Sequence, residues 1–139
     1  MSIDPQNSAE ISHILGIDFG EAKIGLAVAD LETKIASAYK TLENNDKLLA
    51  ELAEIIREKE INKIILGVTE YNNQADEKKK FGEMLKDKLG LPVEYQNEMF
   101  TTKMAQDNIK ETGIKNIKRF DNQEAARIIL QSWLDAHST

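Results

Sequence analysis

Gly16-Ile17-Asp18-Phe19-Gly20-Glu21-Ala22-Lys23-Ile24-Gly25-Leu26-Ala27-Val28-Ala29-Asp30 is the stretch that decides how this chain is read. Ile14, Leu15 and Ile17 form an apolar run that delivers one carboxylate, Asp18, to the end of a strand. Gly20 follows, and a second strand opens at Lys23-Ile24-Gly25-Leu26-Ala27-Val28. An acid at a strand end, beside a glycine that lets a backbone or phosphate approach, can hold a metal ion in a nucleotide- or nucleic-acid-processing site. The same residues also suit a plain hairpin turn, because Gly and Asp are common turn formers.

Outward from this stretch the chain alternates elements. Lys34 to Leu42 reads as a third strand, broken by Glu43-Asn44-Asn45-Asp46. Leu48, Leu49, Leu52, Ile55 and Ile56 fall on one face of a helix. Lys63-Ile64-Ile65-Leu66-Gly67 is a short apolar run suited to a central parallel strand. Asn73 can cap a second helix with Phe81, Met84, Leu85 and Leu89 on its apolar side and Gly90 at its end. Leu91 to Tyr95 reads as a fifth strand, a third helix begins at Thr101 or Thr102 and runs through Ala105 and Ile109, and a last helix starts near Asn122. Three strands joined by tight turns form an antiparallel meander, and two strands that each follow a helix join in parallel by crossovers. The expected architecture is α/β, a mixed five-stranded sheet with helices on its faces. Its ligands should gather at the carboxyl ends of the parallel strands, where Asp18 and the residues after Gly67 and Tyr95 converge.

Composition narrows the class. The 139 residues are 41% hydrophobic and 30% charged, as expected for one ordinary domain. Residues 1–12 read as a disordered leader and 13–137 as a single domain. Absence of cysteine excludes disulfides and thiolate metal sites and fits a cytoplasmic location. No apolar run is long enough to span a membrane. A net charge of −6 disfavours general nucleic-acid binding but leaves room for a local basic patch. Lys110, Lys115, Lys118 and Arg119 form such a patch around Gly113 and Asn116, whereas Lys78, Lys79 and Lys80, beside Asp76 and Glu77, read as a solvated face. His13 and His137 suggest no catalytic pair, and Trp133 sits in an apolar stripe with Ala126, Ile129, Leu130 and Leu134.

Four segments in order resemble the YqgF family, the Holliday-junction-resolvase-like proteins or pre-16S rRNA nucleases, which have a ribonuclease H-like fold. They are Gly16–Gly20 continued through Asp30, Lys63–Gly67, Asn97-Glu98-Met99-Phe100-Thr101-Thr102, and Ala125-Ala126 with Ile129-Leu130-Gln131. The resemblance implies metal-dependent phosphodiester hydrolysis in ribosomal RNA precursor processing, or on branched nucleic acid. Its cofactor would be Mg2+ or Mn2+, with Asp18 and Glu98 as metal ligands. Asp18, Glu98, Asp121, Asn122 and Asn97 are the candidate catalytic positions. Lys23, Thr101, Thr102, Lys115, Lys118 and Arg119 are candidate nucleic-acid contacts, although Thr101 and Thr102 also read as helix caps.

The chain departs from the family pattern at telling places. Asn97 and Asn122 stand where the family has Asp, Met99 where it has Arg, and Val68-Thr69 where it has Leu-Pro. Glu21 and Lys23 replace a usual Thr and Arg. An Asn offers a carbonyl oxygen but no charge, so divalent-ion affinity is expected to be weak. Asp121, one residue from the vacant acid, could compensate, or could be an N-cap with Glu124 three residues on. A non-catalytic relative that binds RNA or a protein is therefore the alternative; under either reading the chain is a monomer or homodimer. Asp-Phe-Gly also resembles the phosphate loop of actin- and Hsp70-like ATPases, whose two subdomains exceed this length.

Overall fold

The computed structural model describes residues 13–68, 74–97 and 121–137. Strands β1 (His13–Asp18), β2 (Lys23–Asp30) and β3 (Ile35–Glu43) come first. Helix α1 (Leu48–Glu58), strand β4 (Ile61–Val68), helix α2 (Gln74–Leu89), strand β5 (Val93–Asn97) and helix α3 (Asn122–Ala136) follow. The sheet order is β3-β2-β1-β4-β5. β1 pairs antiparallel with β2, and β2 with β3, while β1–β4 and β4–β5 are parallel. The meander and the two parallel crossovers are thus as the sequence predicts, and the Lys63–Gly67 segment lies in the strand next to β1. The fifth strand lies two residues later than expected, although the Pro92 carbonyl still accepts a hydrogen bond from the Ile64 amide at 3.0 Å. The Asn73 cap, the helix from Thr101 or Thr102, the basic patch and the leader lie outside the described residues.

β1 is central, so Ile14 to Ile17 are buried in a continuous run. Alternation divides them between two cores. Leu15 and Ile17 join Ile24, Leu26, Leu52, Ile64, Leu66 and Leu85 beneath α1 and α2. Ile14 joins Ala27, Ala29, Ile65, Ala126, Ile129, Leu130 and Trp133 beneath α3.

The α3 side is built of small residues. A Cβ at Gly16 would stand 2.7 Å from the Leu130 Cβ, and one at Gly25 would overlap the carbonyl oxygen of Asn122. The helix therefore lies almost on the sheet backbone. Its far end is tied down by Trp133, whose indole Nε1 donates to Glu94 Oε1 at 3.1 Å, while Lys63 Nζ pairs with Glu94 Oε2 at 2.6 Å. The Lys63 ammonium also sits 5.1 Å from the Trp133 ring centroid, and the His137 ring stacks on Trp133 with centroids 4.1 Å apart.

β3 lies at one end of the strand order. Leu26 opposes Lys40 and Ala27 opposes Ala38, so Tyr39 is an extra residue in a bulge. The ammonium groups of Lys40 and Lys59 both lie near its ring, 5.3 and 5.1 Å from the centroid. Farther along, the Gln131 carboxamide accepts from the Ala36 amide at 2.9 Å and donates to the Lys34 carbonyl at 3.1 Å.

Two measurements follow from the seating of α3. Gly25→Ala should cost about 1–3 kcal/mol or more in chemical denaturation, because the new methyl group must displace the start of the helix. The Glu94 carboxyl is held below its ordinary value of 4.5, chiefly by the Lys63 hydrogen bond, against the opposing cost of burial and with help from Trp133. The folded state therefore binds this proton less tightly than the unfolded chain. The stabilisation is complete above pH 4.5 and fades as pH falls through the lowered folded value. Thermal melts across the acid range should show Glu94→Gln losing that part of the slope.

Candidate active site

Asp18 ends β1 opposite Gly25 of β2. Alternation puts Asp18 on the face of Ile14 and Gly16, the α3 face. The backbone of Asn122 lies against Gly25, so the first turn of α3 comes to the strand pair that carries Asp18. Two of the candidate positions, Asp18 and Asn122, thus lie on neighbouring backbone.

The start of α3 is fixed by short polar contacts. Asp121 is its N-cap, with an extended backbone, and Oδ1 accepts from the Glu124 amide at 2.8 Å. Glu124 does not complete a reciprocal box: its carboxylate pairs with Arg127 at 2.6 Å. That hydrogen bond holds the Glu124 carboxyl low and the Arg127 guanidinium high. The acid of the first turn is thereby compensated locally. Thr41 Oγ1, on the β3 residue facing Gly25, donates to Gln123 Oε1 at 3.2 Å.

The loop after Asp18 is held from two sides. Asn44 Nδ2 donates to the Gly20 carbonyl at 2.9 Å, and the Asn44 amide donates to the Ala22 carbonyl at 2.9 Å. On the opposite face the Phe19 ring meets Phe81 of α2, with centroids 4.6 Å apart and planes tilted 43°. Asn44 was legible in the sequence only as part of a polar strand-breaking run; its side chain is what anchors the loop.

The other expected residues are distributed as follows. Asn97 ends β5, paired with Val68, at the same end of the sheet as Asp18 but two strands away. Val93 and Tyr95 pack on the α1–α2 side, so alternation puts Asn97 on that side too, across the sheet from Asp18. Lys23 is exposed at the start of β2, on the α3 face with Gly25 and Ala27. Glu98, Thr101, Thr102, Lys115, Lys118 and Arg119 lie outside the described residues. The Lys78–Lys80 run is not uniformly solvated: Lys79 and Lys80 are exposed, but Lys78 is only 4% exposed. Helical spacing explains the difference, since Lys78 shares the sheet-facing side of α2 with Phe81, Gly82 and Leu85.

Asp18, Asp121 and Asn122 offer only oxygen donors, the chemistry a hard divalent cation takes. In number they fall short. Among the described residues no group of three or more His, Asp or Glu side chains is arranged to hold a metal. One oxygen of Asp121 is also engaged in the cap.

Residues 12–136 match the protein family described as RuvX: Holliday junction resolvase. The chain belongs to this RuvX family. Relatives named "Putative pre-16S rRNA nuclease" include one from Chloroflexus aggregans, 33% identical over 132 residues, covering 88% of this chain and 93% of the relative. Another, from Agathobacter rectalis, is 36% identical over 134 residues, covering 88% and 94%. Among solved structures, T. thermophilus RuvC in complex with Holliday junction substrate superposes with a TM-score of 0.56 at 16% identity, covering 90% of this chain and 94% of that one. Fowlpox virus resolvase with its junction DNA gives 0.55 at 10% identity, covering 91% and 99%. At such identities the structures establish a shared fold, the RuvC-like, ribonuclease H-like sheet expected from the sequence. Among the described residues no helix is long and apolar enough to cross a membrane.

The cap supplies the test of this RuvX helix start. Asp121→Ala should cost about 1 kcal/mol by denaturation, and Asp121→Ser should recover most of it.

Proposed function

We propose that this RuvX-family chain is a cytoplasmic nuclease that hydrolyses phosphodiester bonds in ribosomal RNA precursors, with Asp18 at the centre of its site. The observation that carries the reading is the seating of the α3 start on Gly25, directly beside Asp18. The names of the relatives support RNA as the substrate. Asp18 and Glu98 are the proposed ligands of Mg2+ or Mn2+, and Asn122 contributes a neutral oxygen. A cation bound there would activate water and stabilise the leaving oxygen. The chain's own residues do the rest. The positive end of the α3 dipole favours an anionic phosphate nearby. Lys23, on the same face, contributes a phosphate contact, and Asn44 with Phe19 keeps the loop after Asp18 in one conformation. Thr101, Thr102, Lys115, Lys118 and Arg119 are proposed to track the RNA backbone.

A second reading has its own support. The small charge of the described donor set suits a relative that binds RNA without cleaving it. Cleavage of a precursor 16S rRNA fragment with Mn2+ separates the two. Asp18→Asn should reduce the rate ~100-fold or more, beyond the loss typical of an outer partner of a metal site. Asn97→Asp with Asn122→Asp should melt below wild type in chelator, because added acids repel Asp18. In excess Mn2+ the same variant should melt above wild type and cleave faster. Asn122→Asp alone should account for most of the change, since Asn97 lies across the sheet. Equal melting shifts and no gain in cleavage would favour the binding module.

A further inference from the structure

Two locally unfavourable choices meet at one contact behind the candidate site. Gly82 lies in the middle of α2, where glycine costs about 1 kcal/mol relative to alanine. Tyr95 of β5 is packed against it, and its buried hydroxyl has no hydrogen-bond partner among the described residues. Burial pushes the phenol pKa up. A Cβ at Gly82 would overlap the Tyr95 hydroxyl oxygen and lie 3.0 Å from two ring carbons. Ala at 82 with Phe at 95 would remove the helix-glycine cost, the orphaned hydroxyl and the overlap with it, leaving the ring to give by only a fraction of an ångström. A fold that keeps two such costs at one point commonly keeps them for function.

The neighbouring residue shows what the contact can do. Phe81 meets Phe19, the residue directly after Asp18. Consecutive residues of α2 thus touch the end of β1 and the strand that ends in Asn97. These two strands flank β4. We infer that the Phe81–Gly82 step of α2 is a positioning element, which sets the separation between Asp18 and the end of β5 from the face opposite α3. Phe81 and Gly82 touch no substrate; they act through Phe19 and Tyr95. As a role in catalysis this rests on the nuclease reading, but the geometric claim does not.

The test uses the full chain. Gly82→Ala should push Tyr95 and β5 outward, lowering kcat for the precursor RNA ~10- to 100-fold with KM nearly unchanged. Adding Tyr95→Phe should recover most of the loss. Phe81→Leu should lower kcat by loosening the loop after Asp18. Leu52→Ala, a cavity in α1, should lower Tm with kcat retained below the melting range. The second readout is NMR without metal: the Asp18 carboxyl-carbon and Asn97 amide shifts should move in Gly82→Ala and return in the double variant. Phe81→Leu should move the Asp18 signal and leave Asn97 in place. If wild type cleaves nothing, the nuclease reading fails while these shifts still decide the positioning. Shifts confined to Tyr95 and α2, or kcat that merely follows Tm across all variants, would overturn the inference.

Discussion

The close approach of α3 to the sheet is the constraint on which the rest of this structure depends. Gly16 and Gly25 leave no side chain between helix and strand backbone, and Ala27, Ala29 and Ala36 extend the shallow surface. The helix can then bury Ala126, Ile129, Leu130 and Trp133 while its first residue reaches the level of Asp18. Larger residues at these positions would lift the helix and carry its start away from the strand end. The Trp133–Glu94–Lys63 contacts at the other end fix the remaining degree of freedom, its swing across the sheet.

Much of this was legible in the sequence because period and turn chemistry agree. The uninterrupted apolar runs of β1 and β4 require neighbours on both edges, and Gly90, with φ +71°, ends α2 as its position predicts. The helix-start reading of Asp121 also follows from spacing. What stayed hidden depended on tertiary placement. A run of three lysines gives no sign that one faces the sheet until the phase of α2 is fixed. Asn44 looks like any polar turn residue, since the carbonyl it binds belongs to a loop 24 residues earlier. That Asn97 faces away from Asp18 was hidden because the apolar pattern ends at Tyr95, whereas β5 continues two residues further and so fixes the face of Asn97.

The site has an uneven distribution of charge. Asp18 and Asp121 are the acids at the start of α3, while Glu124 is matched by Arg127. The start of α3 is seated beside Asp18 by backbone packing rather than by charge, which makes scaffold and chemistry separable by mutation in this chain.

The bulge at Tyr39 has a consequence of another kind. A strand edge is a template for a foreign strand, and β3, the nine-residue strand at one edge of the sheet among the described residues, is long enough to recruit one. The extra residue breaks the regular spacing of outward amides and carbonyls, and the nearby ammonium groups of Lys40 and Lys59 crowd the middle with positive charge. Near the hairpin, the Gln131 carboxamide already occupies Lys34 and Ala36 as a neighbouring peptide group would. Any strand seeking this edge meets a mismatch at the centre and a plug at one end, so the same helix that carries the candidate site also guards the sheet against aggregation.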